Sequence, residues 1–195
     1  MAEWLRRGLQ ILARRFDSGS GLHYSDTPPS LDEGAMTITW IDIAFQIEPS
    51  VAQSAAKAWS WLVPEPWNPL ICSMVGGVFL EVQDGTVHWL DTGTGLLEQV
   101  ASNRTHFEDI MKTSPDLVDE WFLPPLIERL HAAGKKAGAG ECYGFITLPV
   151  FAEGKYEVDN MFVVPVTEQF IGMADVHRQI SELPDGSPVR IRLVD

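Results

Sequence analysis

Between residues 76 and 101 the chain alternates clearly enough to specify its own pairing. In GGVFLEVQ, Val78, Leu80 and Val82 interleave with Phe79, Glu81 and Gln83, the two-residue period of a strand. Asp84-Gly85 follows and tolerates the positive φ of a tight hairpin turn, and TVHWLD reads as the returning strand. TGTG (92–95) is a second turn, and LLEQVA (96–101) a third strand.

Helical spacing dominates the next segment. Phe107, Ile110 and Met111 share one side of a helix over Asn103–Thr113. Ser114 and Pro115 supply an N-cap and a first-position proline for a second helix. There Leu117, Val118, Trp121 and Phe122 face one way, and Asp116, Asp119 and Glu120 the other. Pro124-Pro125 must kink or split this helix, and Gly134 is placed to cap its continuation, Leu126–Ala133.

ECYGFITLPV and NMFVVPV (160–166) read as core strands joined by a loop containing Gly154. Thr167 is then positioned to cap a helix with Phe170, Met173, Val176 or His177, Ile180 and Leu183 as its apolar stripe. PDGSPVRIRLVD reads as a turn and a final strand. Upstream, TITWIDIAFQI (37–47) suits a strand or a short helix, PSVAQSAAKAWSWL (49–62) a helix, and VPEPWNP (63–69) a turn. The mixed order predicts one α+β domain over 36–195, a mainly antiparallel sheet with a β-hairpin packed against several helices.

Residues 1–35 differ. Their first sixteen contain Arg6, Arg7, Arg14 and Arg15, with Leu5, Leu9 and Leu12 along one side of a potential basic helix, and a Ser/Gly/Pro-rich linker follows. Arg15-Phe16-Asp17-Ser18 is also what translation of GGTTCGANTCC, the T-arm of a transfer RNA gene, would produce. The segment is expected to lie outside the domain, with Met36 beginning the protein proper.

Charge changes the picture most. The chain carries 14 Lys+Arg against 27 Asp+Glu, a formal −13. Such an excess repels polyanions, which argues against nucleic acid or an anionic membrane; it favours a basic partner, or serves solubility alone. No apolar run approaches the roughly 20 residues needed to span a bilayer, and the arginine-broken start is a poor secretory signal. Two cysteines, Cys72 and Cys142, give no disulfide framework, so a reducing cytoplasm is expected.

Chemistry-bearing motifs are sparse. The five histidines (His23, His88, His106, His131, His177) show no metal-ligand spacing, and TGTGLL lacks the lysine of a phosphate loop. Neither a nucleophile elbow nor an Asp-rich calcium loop occurs. No catalytic residue, cofactor or metal is therefore assigned. Strand alternation puts Cys142 on the face opposite Tyr143 and Phe145, as a small buried hydrophobe.

Several spaced motifs do agree with a known pattern. They are Gly77-Val78-Phe79 with Asp84-Gly85 and Leu90-Asp91-Thr92; the helix LPPLIERLHAAG with its Gly-rich sequel; Cys142-Tyr143-Gly144-Phe145 with Pro149; Asn160 before Met161–Val164; and His177 with Gln179. Over roughly residues 60–195 the chain resembles the immunity proteins of type VI secretion known by their Tdi1 C-terminal domain (DUF1851). That family often carries a GAD-like domain ahead of this region, for which residues 1–60 are too short.

The resemblance implies a non-catalytic protein that binds a toxic effector, typically a nuclease with a basic cleft, and blocks it. Asp116, Asp119 and Glu120 are the acidic face proposed to contribute to that interface. Two alternatives stand beside it. One is a small-molecule-binding or enzymatic domain with a pocket formed by Trp89, Tyr143 and His177; the other is a general interaction module anchored by exposed tryptophans.

Overall fold

A computed structural model describes residues 38–184 and 186–189. The expected non-domain segment 1–35, the start at Met36 and residues 190–195 of the expected closing turn and strand lie outside the described residues. Those described form an α+β domain with six α-helices, a five-stranded antiparallel sheet and a two-stranded one.

The chain enters through a single helical turn, α1 (Trp40–Ile43), and a two-residue strand, β1 (Ala44–Phe45), so both forms considered for 37–47 occur. Thr39 and Asp42 lock that turn as a capping box: the Thr39 N–H and Oγ1–H both donate to Asp42 Oδ2, at 2.9 and 2.6 Å. Helix α2 (Pro49–Ala58) starts at its proline as predicted. Strand β2 (Trp67–Ser73) was not anticipated; its first three residues fall in the stretch expected to be a turn. Pro69 is tolerated there because the register of β2 on β3 shifts between Pro69 and Ile71, and a bulge needs no N–H from that position.

Strands β3 (Gly77–Val82), β4 (Val87–Asp91) and β5 (Leu96–Ala101) complete the sheet in the order β1-β2-β3-β4-β5. Phe79 lies opposite Trp89 and Leu80 opposite His88. The β3–β4 hairpin is as predicted but its turn is longer than a two-residue one. The Gly85 N–H closes on Val82 O at 2.9 Å, and only Gly85, at φ +84°, has a positive φ in that turn. Asp84 instead accepts from the N–H and hydroxyl of Thr86, which holds the turn from the side.

Helices α3 (Arg104–Thr113), α4 (Pro115–Phe122) and α5 (Pro124–Ala132) follow closely. Asn103 Oδ1 accepts from the His106 N–H at 2.9 Å and caps α3. The split before Pro124 falls at Leu123, held at φ +48°, and Gly134 (φ +76°) ends α5. Strands β6 (Glu141–Phe145) and β7 (Met161–Pro165) pair antiparallel, and α6 (Val166–Ile180) closes the fold. Thr167 is not its cap: α6 begins at Val166 with Pro165 in that role. Leu183 is 44% exposed and lies past its end.

Alternation in β3 explains the architecture. Phe79 belongs to one core with Trp89, Phe107, Met111, Val118, Phe122, Leu126 and Ile127, so α3, α4 and α5 cover one face of the sheet. Val78 and Leu80 join Cys72, Leu90, Ala55, Trp59, Phe170 and Ala174, so α2 and α6 cover the other. With both faces covered, the β3 stretch Gly77–Leu80 is buried at every position, which is unusual for an antiparallel strand. The small sheet docks on the large one where the Tyr143 N–H donates to Met74 O at 2.8 Å. Cys142 faces the α6 core while Tyr143 and Phe145 face the other, as the alternation required.

Candidate functional site

Three of the motif residues, Asp91, Thr92 and His177, meet at one place, the turn between β4 and β5. Asp91 begins that turn; its Oδ1 accepts from the Gly93 N–H (2.8 Å) and its Oδ2 from the Thr94 hydroxyl (2.8 Å) and the Tyr156 hydroxyl (3.0 Å). Thr92, fully buried, donates its hydroxyl to Gly76 O at 2.6 Å and accepts from Gln169 Nε2 at 3.0 Å. His177 Nε2 lies 2.9 Å from Thr92 O, and because a carbonyl only accepts, Nε2 carries the proton.

Close approach fixes the glycines of this seam. A Cβ at Gly95 (φ +72°) would lie 2.6 Å from His177 Nδ1, and one at Gly144 2.9 Å from Gln169 Oε1. At Gly77 it would fall inside the Trp89 indole. The Trp59 indole N–H donates to Phe170 O at 2.7 Å, and its ring lies 5.9 Å from that of His177. The turn, the end of α2, α6 and the 146–160 loop are thus tied through satisfied polar groups, and β6 approaches α6 closely at Gly144. The arrangement joins elements of the fold.

Burial pushes the His177 imidazole below its ordinary pKa, and the Thr92 carbonyl and Asp91 carboxylate oppose that shift. Burial raises the Tyr156 hydroxyl, and Asp91 adds to the effect. Cys72 and Cys142 are both fully buried. Burial pushes the Cys142 thiol up to about 12 and the Cys72 thiol further up, so neither is held as the nucleophilic thiolate. Among the described residues no group of three or more His, Cys, Asp and Glu is arranged to hold a metal ion.

Trp89, Tyr143 and His177 each make separate contacts. Trp89 packs against Phe79 and Trp121, with ring centroids 4.4 and 6.4 Å away. The Tyr143 hydroxyl donates to Lys135 O at 2.9 Å, and His177 turns toward Thr92. Nor are the tryptophans among the described residues presented as exposed anchors: Trp40, Trp59 and Trp89 are buried, and Trp61, Trp67 and Trp121 are half-buried.

Asp116, Asp119 and Glu120 are all exposed on α4, while Val118 and Phe122 enter the core. Asp116 stands in the first turn, where a carboxylate also complements the helix dipole. Several cations are engaged within the fold: Arg104 with Glu81, Lys112 with Glu108 and Asp109, Lys136 with Asp42, and Arg178 with Asp175. Lys135 Nζ donates to Val158 O and Met161 O, both at 2.7 Å.

A groove of about 470 Å³ was not foreseen. It runs between the α1–β1 segment, the start of α2, the 136–141 loop and the start of α6. Ile41 stands in it 80% exposed. In sequence, nothing local within WIDIAF distinguishes Ile41 from Ile43, which is fully buried.

No helix among the described residues is long and apolar enough to cross a membrane. A scan against protein-family models finds no match to this chain, and a search of curated proteins finds no relative.

Proposed function

We propose that this protein works by occlusion: it binds a secreted toxic effector, a nuclease with a basic cleft, and blocks it without chemistry of its own. The observation that carries this reading is the charge balance. The chain is formally −13, and five of its cationic side chains are already turned to carboxylates or carbonyls of its own fold. What remains for a partner is a predominantly acidic surface, which steers toward a basic cleft and matches it on contact.

The seam supports the same reading from the other side. The histidine and the CYGF cysteine that an enzyme reading would use are buried among structural partners, with His177 bonded to a backbone carbonyl and Cys142 a neutral thiol in the core. Asp116, Asp119 and Glu120 offer carboxylates on one exposed helix face. The working compartment on this reading is the cytoplasm, where the effector's target lies.

Coexpression with a candidate toxic effector drawn from the neighbouring genes tests the proposal. Survival of the producing cells and copurification of the two proteins are expected. Death of those cells, with both proteins present in soluble form, would overturn it.

A further inference from the structure

We infer that the groove beside Ile41 is the docking surface for a partner segment that presents apolar side chains flanked by lysine or arginine. The inference deepens the proposed function and rests on it for the partner's being a protein.

Ile41 is the most exposed of the large apolar side chains described, at 80%. Its backbone is not loose: Thr39 and Asp42 close the capping box on either side of it. An apolar side chain held out on a fixed turn loses little further freedom when a partner covers it, which is what a binding anchor needs. Phe45, Ile47 and Val51 continue the apolar floor beside it.

The rim selects the partner's charge. Asp42, Glu48 and Glu141 line the groove together with one cation, Lys136, whose ammonium is turned to Asp42 at 3.6 Å. That pair cancels, leaving Glu48 and Glu141 to set the sign. Glu168, exposed in the first turn of α6, offsets the positive end of that helix where Val166 and Thr167 meet the groove. A segment carrying carboxylates would meet repulsion at this rim, and a purely apolar one would gain nothing from its net negative charge.

The test is an NMR titration of the full chain with an amidated peptide alternating lysine and leucine. Lysine–glycine and glutamate–leucine peptides serve as controls. Chemical-shift changes are expected at Ile41, Phe45, Glu48 and Gly140 with the lysine–leucine peptide alone. Ile41→Glu should weaken binding about tenfold or more, as loss of a central anchor does. The double variant Glu48→Lys, Glu141→Lys should weaken it while leaving the spectrum folded. Shifts confined to the α4 face, an equal response to the glutamate–leucine peptide, or no response would overturn the assignment. So would an Ile41→Glu chain that merely dissociates from a dimer, since the occupant would then be a second copy.

Coexpression with the effector separates this inference from the reading beneath it. Full protection by Ile41→Glu removes the groove and leaves occlusion standing. Peptide binding at the groove in a chain that never protects removes occlusion and leaves the groove.

Discussion

His177 donates from Nε2 to the carbonyl oxygen of Thr92 across 2.9 Å, fastening the last helix to the turn between β4 and β5. The two residues are 85 positions apart, so this bond closes a long loop of chain. His177→Ala removes the bond, leaves a buried carbonyl without its partner and opens space beside Trp59. A loss of about 2–4 kcal/mol is expected from those combined effects, read from urea denaturation near neutral pH. A change within about 0.5 kcal/mol, the range of ordinary surface substitutions, would show that the seam does not hold the fold together.

Acid should loosen the same seam. Because the folded chain holds His177 below its ordinary value, the unfolded chain binds protons more readily. Stability is therefore full above the ordinary histidine pKa of about 6.5 and falls as pH drops through it toward the lower folded value, with a slope of at most about 1.4 kcal/mol per pH unit for one group. His131, pushed down by burial and by Lys136 against the pull of Asp42, acts in the same direction. Denaturation midpoints between pH 7.5 and 5 measure the effect, and His177→Gln should flatten the curve.

Gly85 and Gly95 separate backbone strain from crowding. Both hold positive φ, +84° and +72°, but a Cβ at Gly85 meets nothing within 4 Å while one at Gly95 meets His177. Gly85→Ala should cost about 1–2 kcal/mol for the left-handed conformation alone. Gly95→Ala should exceed that by about 1–3 kcal/mol, the usual range for overpacking. Equal costs would mean that the His177 ring yields freely.

The buried thiols should be silent in the native protein. Cys72 and Cys142 are expected to react with a thiol-specific reagent only after denaturant is added. Cys142→Ser places an unsatisfied hydroxyl in the core and should destabilise by about 1–3 kcal/mol. Rapid native labelling at Cys142 would contradict its placement.

Asp116→Lys with Glu120→Lys tests the acidic helix. The dipole contribution of Asp116 is only about 0.3–1 kcal/mol, so the fold should survive. If this face meets the effector, inhibition weakens; unchanged inhibition removes the face from the proposal.

Where local pattern and tertiary packing agree, the fold is legible in the sequence. The β3–β4 hairpin, the split at Pro124 and the β6–β7 pair all announce themselves by alternation or by proline and glycine. Strand β2 does not, because Pro69 argues against a strand unless a bulge is known to absorb it. The start of α6 is displaced because Pro165 already supplies a helix boundary, which makes a cap at Thr167 unnecessary. His177 and Val176 are adjacent and either could continue the apolar stripe; the choice of His177 depends on Thr92, far away in sequence. The acidic face of α4 is legible as an exposed face, since amphipathic spacing alone turns Asp116, Asp119 and Glu120 outward. The groove is not legible, because exposure of Ile41 depends on which segments fail to cover it.

Titration of the effector's nuclease activity with this purified protein tests occlusion most directly. The account predicts inhibition that is complete at an equimolar ratio, is established as fast as the two associate, and weakens as salt is raised. Progressive loss of effector activity at substoichiometric amounts would reveal turnover by this protein and contradict the account.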